Sequence, residues 1–487
     1  MSQYRIEKDS LGEIQIPSNV YYGIQTQRAI ENFGISGLPF SGLSIGDYKY
    51  FIWSMAAIKR AAALANREIN CLEASVANAI VTAATEVMSG NLSDQFPSDI
   101  LQGGGYTSAN MNVNEVIANR ANEIITGKKG YDKVHPNNHV NMGQSTNDVI
   151  PTALKLACYR YIGDLIDRTS SLEAALDKKA NEFKGIVKLG RTCLQDALPL
   201  TLGQEFSGYL DLIKRRKQKL VDIKDELLVL PLGGTAVGTE LSAGAGYIDA
   251  VYQHLSCISG CNVTPDANFF DGLQNADIFI DLSANLKALA AGISKIATDL
   301  RILSSGPNGG FQEIVLPALQ PGSSIMPGKI NPVMPELINQ VCYQVSGNDF
   351  AIFMAVEGGE LDLNVWEPII FKCIAESFTL LTNGIKLFTE KCIIDLQANA
   401  DVCRGYSERS TALSTVISTL FGYQVGSEIA KKAAKEQKTV KQVAVEEHIF
   451  TQAEADDLLD PMVMTCAATL KDKITKYKTA HADVFKK

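Results

Sequence analysis

The chain has 487 residues, of which 46% are hydrophobic and 20% charged, ordinary globular usage that excludes a wholly disordered chain. Lys and Arg number 45 against 54 Asp and Glu, a formal net charge of −9, so no general attraction for nucleic acid or anionic lipid is expected. At roughly 150 residues per domain, the length suggests about three domains.

The first residues, Met1 to Glu13, are charged and lack an apolar core, so no secretory signal is expected. No stretch of about 20 apolar residues offers a membrane span. Ten cysteines without a secretion signal predict reduced, mostly buried thiols and a cytoplasmic protein. Cys257 and Cys261 follow His254, but no further ligand stands at zinc-finger spacing, and no metal site is expected there.

Residues 1–40 read as a mostly irregular arm, with a strand over Gly12–Pro17 and a helix starting within Tyr21–Phe33. Ala-rich helical patterns run from Tyr48 to Ile69 and from Leu72 to Met88. After the glycines at 103–105 come Thr107 and Ser108, then Asn110, Asn112 and Asn114 in a helical stretch. Asparagines are costly inside a helix unless their amides are bonded. Ser145, Thr146, Asn147 and Asp148 precede Pro151, which is read as starting the next helix. Hydroxyls and N–H groups at such a start suit a carboxylate.

That helix carries the apolar stripe Leu154, Cys158, Tyr161, Leu165, Leu172 and Leu176. The segment Gly190–Gln204 sets Thr192 and Cys193 beside a helix expected to resume near Thr201, and Gln204–Leu230 reads as a long helix. Leu282, Leu286, Leu289, Ile293, Ile296, Leu300 and Leu303 form a heptad seam. A further stripe, Ile370 to Phe388, follows Pro368. Several long antiparallel helices imply a bundle.

Between the last two stripes lies the least regular segment, Pro321 to Glu336 (PGSSIMPGKINPVMPE). Its prolines exclude a central strand, and a long polar loop with glycine hinges suits an active-site lid. Ser323, Ser324, Lys329 and Asn331 offer hydroxyls, a cation and an amide to an anionic substrate. Beyond residue 401 the helices shorten. Glu428–Glu436 is a strong helix former, Thr451 and Glu454 form a capping-box pattern, and Lys471–Lys478 reads as a solvated helix face. The expected fold is mainly α, in three domains: 1–145, a central helical-bundle domain 146–400, and a small helical domain 401–487. The chain holds no HExxH, P-loop, GxGxxG or GxSxG pattern, so zincin, nucleotide and α/β-hydrolase readings lack support.

The motifs GSSIMPGKINP (322–332), NMNVNEV (110–116), HPNNHVN (135–141), QSTNDVIPT (144–152) and GRTCLQDALP (190–199) resemble those of the aspartase/fumarase superfamily, in order and over nearly the whole chain. The resemblance implies a homotetramer whose long helices build a twenty-helix core, with each active site drawn from three subunits. It implies anti elimination from a succinyl-type substrate to release fumarate, with Ser323 as the base and an aci-carboxylate carbanion as intermediate. By the same resemblance Thr107, Ser145, Thr146 and Ser324 stabilise that dianion. Lys329 and Asn331 hold the other carboxylate, and Thr192 and Asn147 lie near the leaving group. Ser108 is counted with the substrate-binding residues. TSANMN, QSTND, LNVWEP with its Glu367, and YYGIQTQRAIENF lean to the aspartase branch, hence to release of ammonia from L-aspartate. A class II fumarase, a lyase of a related amino-diacid and a crystallin-like structural protein are the alternatives.

Two residues depart from the pattern: Cys193 stands where His or Gln is usual, and Tyr106 replaces a glycine. Both, with Glu336, are candidate residues of the pocket or its support. No cofactor is expected to be required. Activation by a divalent cation such as Mg is left open by the resemblance, and neither nucleic acid nor membrane is expected as a partner.

Overall fold

In the computed structural model, which describes residues 4–39 and 49–485, the chain opens with an antiparallel hairpin of β1 (Tyr4–Asp9) and β2 (Gly12–Pro17). The arm expected to be mostly irregular therefore gains a second strand, β1, beside the one expected over Gly12–Pro17. Its strands are largely solvent-facing, and Arg5 ties β1 to the carbonyls of Pro17, Val20 and Tyr22. There follow α1 (Ile24–Asn32), α2 (Lys49–Glu68), α3 (Ala74–Met88) and α4 (Thr107–Thr126). Tyr48, the expected first residue of α2, lies outside the described residues.

The middle of the chain holds α5 (Thr146–Glu182), β3 (Val187–Thr192), β4 (Gln195–Thr201), α6 (Leu202–Lys224), β5 (Val229–Leu230), α7 (Tyr247–Ser259), β6 (Thr264–Pro265), α8 (Phe269–Gln274), α9 (Ile278–Leu303) and β7 (Ile314–Val315). Then come α10 (Val333–Glu357), α11 (Glu367–Phe388), β8 (Gln397–Ala398), α12 (Ala400–Arg409), α13 (Ser414–Phe421), α14 (Tyr423–Glu436), α15 (Val440–Glu446), α16 (Gln452–Leu458) and α17 (Ala467–Ala480). The fold is mainly α-helical and multi-domain, with a central bundle of long helices; α5 alone runs 37 residues. Every residue of the three apolar stripes is buried. No described helix is long and apolar enough to cross a membrane.

One correction concerns an element start. Pro151 lies inside α5 rather than at its start. Ser145 caps the helix instead: its carbonyl accepts the Val149 N–H, its Oγ accepts the Asn147 N–H at 3.2 Å, and Asp148 Oδ1 accepts the Ser145 N–H at 2.9 Å. Pro151 then forgoes one bond, to the Asn147 carbonyl. The helix expected near Thr201 does begin at Leu202, but a β-hairpin that the sequence did not announce carries Thr192 and Cys193 ahead of it. Val187, Lys188 and Leu189 are buried in succession, a pattern that periodicity does not separate from a helix.

The chain divides into two compact units, one of residues 1–168, 216–291 and 341–383, the other of residues 169–215, 292–340 and 384–487. In the first, α2 packs on α3 and α7, and α4 packs on α3 and α1. Glu115 of α4 accepts the N–H groups of Gly23, Gln25 and Thr26 and the Thr26 hydroxyl, which fixes the start of α1. Phe51 of α2 meets Phe371 of α11 at 4.3 Å, and Asn348 of α10 bonds Ser377 of α11 at 3.1 Å. In the second unit, Tyr209 of α6 bonds Asp299 of α9, and the amide of Asn339 on α10 reaches Ser294 and Thr298 of α9. Helices α13 to α16 enclose a separate apolar cluster from Leu413 to Leu459. Thr451 and Glu454 form the expected capping box, and α17 has no buried residue.

All ten cysteines are free. Five are buried, but Cys71, Cys193, Cys257 and Cys466 are exposed, so the expectation of mostly buried thiols holds for only half of them.

Candidate active site

In the first unit the candidate residues gather at the starts of α4 and α5. Gly104, Gly105 and Tyr106 have φ of 77°, 57° and 61°, and this left-handed run turns the chain into α4. Thr107 opens the helix exposed, with its hydroxyl donating to the Gly104 carbonyl at 2.8 Å. Thr107 and Ser108 line a cavity of about 580 Å³ together with Gln25, Arg28, Tyr131 and His135. Tyr106 faces the other way. Its ring is fully buried against Phe51 and Phe371, and its hydroxyl donates to the Ile100 carbonyl at 2.7 Å. The phenol is thus committed to the core and does not line the cavity, so of the two roles expected for it, pocket or support, its placement fits support.

Asn110, Asn112 and Asn114 of α4 are buried and bonded. Asn110 Nδ2 donates to Thr146 Oγ1 at 3.0 Å and to Asn141 Oδ1 at 3.3 Å. Asn112 reaches the Gln95 carbonyl, and Asn114 reaches Asn141 Oδ1 at 3.1 Å. The α4 and α5 starts are joined through Asn110. Ser145 and Thr146 both accept with their hydroxyl oxygens, from Asn147 N–H and from Asn110 respectively, which leaves the O–H of each available to donate. Asn147 Nδ2 donates to the Ala236 carbonyl at 2.7 Å and leaves Oδ1 as an acceptor.

Behind these hydroxyls lie two ionisable residues that the sequence reading gave no role. Lys59 of α2 is fully buried and donates to Asn141 Oδ1 and Gln144 Oε1, both at 2.9 Å. Burial pushes its pKa down to about 7, against the pull of Asp148. Asp148 is fully buried and accepts the N–H groups of Ser145, Gly233 and Thr235. Burial raises its pKa to about 6, opposed by those three bonds and by Lys59. The signal for Lys59 was its place on the buried Ala-rich face with Met55, Ala56, Ala62 and Ala63. The signal for the 233–236 turn was the Gly-Gly-Thr run, in which Thr235 takes a φ of 57°.

In the second unit, β3 and β4 meet in a two-residue turn at Cys193 and Leu194, with φ of 53° and 60° and Thr192 paired to Gln195. Thr192 and Cys193 are exposed at its tip. Gly190 is required beneath them, since a Cβ there would lie 2.5 Å from the Leu198 carbonyl.

The serine loop is closed at its base. Gly322 N–H donates to the Lys329 carbonyl at 2.8 Å, and Asn331 Nδ2 donates to the Gly322 carbonyl at 2.9 Å. A Cβ at Gly322 would meet the Lys329 carbonyl at 2.6 Å. Within the loop, Ser323 Oγ accepts the N–H groups of Ile325 at 3.2 Å and Met326 at 3.0 Å. Ser324, Ile325, Met326 and Lys329 are exposed. Lys329 and Asn331 line a cavity of about 970 Å³ with Arg301, Ser304, Ser305 and Gln312. Glu336 is half-buried in the first turn of α10. The candidate residues therefore form one set around Asn110 and Thr146 in the first unit, and a serine loop and a hairpin tip in the second. Among the described residues no three His, Cys, Asp or Glu side chains are grouped to hold a metal ion.

A lyase family model matches residues 12–347, and a model of the fumarase C C-terminus matches residues 411–466. An aspartate ammonia-lyase of a Bacillus species is 44% identical over 95% of this chain and 97% of its own. The cobalt-bound crystal structure of a fumarate lyase:delta crystallin from Brucella melitensis superposes with a TM-score of 0.92 at 42% identity, over 95% of this chain and all of that one. A class II fumarase from Schistosoma mansoni gives 0.89 at 35%, over 95% and 99%. Matches of this extent join the serine loop, the asparagine-rich helix start and the long-helix bundle in one lineage, and the chain belongs to the aspartase/fumarase superfamily of lyases.

Proposed function

We propose that the chain is a carbon–nitrogen lyase that removes ammonia from L-aspartate to give fumarate, with Ser323 as the base. The observation that carries this reading is the pair of N–H groups aimed at Ser323 Oγ. A serine hydroxyl is a very weak base. Hydrogen bonds to its charged form, with a nearby cation in a loop that closes over substrate, are what lower the cost of an alkoxide.

In this mechanism Ser323 takes a proton from the carbon next to the carboxylate that becomes the aci-acid. The electron pair moves onto that carboxylate as a dianion. The O–H groups of Ser145, Thr146 and Ser324 donate to it, joined by Thr107 once its hydroxyl turns from the Gly104 carbonyl to the substrate. The pair then returns to form the double bond as the C–N bond breaks. An amine bound as ammonium leaves as neutral ammonia, so no protein acid has to supply a proton. Asn147 Oδ1 supplies the acceptor such an ammonium needs, with Thr192 as its neighbour in function. Lys329 and Asn331 hold the second carboxylate. Ser108, Cys193 and Glu336 support the pocket without taking part in proton transfer.

The assembly in this reading is a homotetramer with a twenty-helix core and sites shared by three subunits. Support comes from α10, where Tyr343, Phe350, Phe353 and Met354 form an exposed apolar seam at helical spacing, 68% exposed at Tyr343. The chain divides as 1–145, 146–400 and 401–487; the separate cluster beyond Leu413 supports the last boundary. Ten free thiols fit a reducing cytoplasm. A fumarate lyase:delta crystallin from Brucella melitensis was crystallised with cobalt, which supports activation by a divalent cation as the resemblance left open, and no step is assigned to the metal.

The test is fumarate formation measured by ultraviolet absorbance with L-aspartate, L-malate, L-cysteate and N-substituted aspartates in parallel. L-aspartate should be turned over best; turnover of L-malate alone would favour a fumarase. Mixing inactive Ser323→Ala and Thr146→Ala tetramers after dissociation should restore part of the activity if the sites are shared between subunits.

A further inference from the structure

We propose that Glu313 is a positioning residue that couples the hairpin tip bearing Thr192 and Cys193 to the root of the serine loop. The amine-side consequence rests on the ammonia-lyase reading above; the coupling itself does not.

Glu313 has no solvent exposure. Arg191 Nη1 reaches both of its carboxylate oxygens, at 2.9 and 3.0 Å, and Lys188 Nζ lies 3.1 Å from Oε2. Lys188 is also buried and pairs with Glu205 at 2.7 Å. The cluster holds two cations and two carboxylates and is balanced. Arg191 is enclosed further by Phe311, with the guanidinium 4.2 Å from the ring centre, and by Tyr406 at 5.3 Å. Such a buried pair contributes little net stability compared with an apolar substitute, so fixing geometry is the use that the arrangement favours.

Sequence position gives that geometry its consequence. Arg191 lies on β3 immediately before Thr192, its last residue, and the turn at Cys193. Glu313 immediately precedes β7, from which the chain runs into the serine loop. The Glu313 backbone is pinned as well: its N–H donates to the Leu303 carbonyl at 2.8 Å, and its carbonyl accepts from Asn399 N–H at 2.8 Å and from Cys403 Sγ. The carboxylate is thus anchored at the loop root and grips the hairpin just below its tip. Both elements carry residues assigned to the substrate, and misplacement by about 1 Å can cost on the order of 100-fold in rate.

Hydrogen exchange of the full protein reads the coupling without any substrate. Glu313→Gln should accelerate exchange in peptides covering 190–195 and 316–332 together, while the cluster of Leu413–Leu459 keeps its protection. Arg191→Gln, which cuts the same link from the other side, should give the same paired response and serves if Glu313→Gln fails to fold. Glu205→Gln touches only Lys188 and should leave both peptides unchanged. Loosening of one segment alone, or of the whole unit uniformly, would overturn the coupling. In the kinetic arm, kcat/KM for L-aspartate should fall about 100-fold, while affinity for succinate, which lacks the amine but still meets Lys329 and Asn331, should fall by a clearly smaller factor. Equal losses for both would reduce Glu313 to a general structural part. A wild-type protein inert toward L-aspartate would refute the ammonia-lyase reading, and the exchange result would still decide the coupling.

Discussion

Glu367, the first residue of α11, is the buried acid whose protonation state the structure defines most sharply. It is only 4% exposed, and its Oε2 has no hydrogen-bond partner among the described residues. Burial pushes its pKa up to about 8, relieved only by its own backbone N–H. The group is therefore a neutral acid in the folded protein at pH 7 and a carboxylate in the unfolded chain. Because the folded state holds the extra proton between pH 4.5 and 8, stability must fall as pH rises through that window. One pKa unit is about 1.4 kcal/mol, so the loss reaches about 3 kcal/mol at pH 7 and levels off near 5 kcal/mol above pH 8, as upper values. Glu367→Gln keeps the shape and removes the titration. Its amide needs a new partner, an offset of about 1–3 kcal/mol that does not vary with pH. The quantity to compare is thus the difference in Tm between variant and wild type, followed from pH 5 to pH 8 by calorimetry. It should drift steadily in favour of the variant, by the equivalent of about 3 kcal/mol. A difference that stays constant across that range would refute the assignment of a buried, neutral Glu367. A drift of opposite sign would mean that the carboxylate is paired with a cation.

Two further variants test the substrate contacts. Lys329→Ala should weaken succinate binding, read by isothermal titration, by about 2–5 kcal/mol, because a carboxylate in a closed site loses its charged partner; unchanged affinity would remove Lys329 from contact with the ligand. Cys193→Ser should retain the wild-type pH profile of kcat and lose far less than the roughly 100-fold that removal of a general acid costs. A large loss together with a missing ionisation would make the thiol a proton carrier.

The helical bundle was legible because burial repeats every three to four residues. The heptad seam of Leu282 to Leu303 and the stripe of Ile370 to Phe388 are buried throughout. Small hairpins were harder to see. Four successive residues of β3 are buried, and the strands of β1 and β2 are mostly solvent-facing, so neither gives a clean alternation. The hydroxyls and amides of the candidate site stood out through their density in loops and helix starts. The charges that hold them did not. Lys59, Asp148 and Glu313 each act through a partner distant in sequence, an amide, a backbone N–H and a cation respectively, and no local motif announces such a partner. Tyr106 was ambiguous for the same reason: beside a glycine run it reads as a residue of the pocket or its support, and only the fold shows that its ring turns into the core.

The central claim is that Ser323 removes the proton that starts elimination from L-aspartate. The direct measurement is fumarate release from L-aspartate by wild type and Ser323→Ala at matched protein concentration, with Tm recorded for both. The account predicts that turnover is abolished in the variant while stability changes by no more than about 1 kcal/mol, since the side chain sits in an open loop and fills no core space. Near-native fumarate release by a folded Ser323→Ala protein would contradict it.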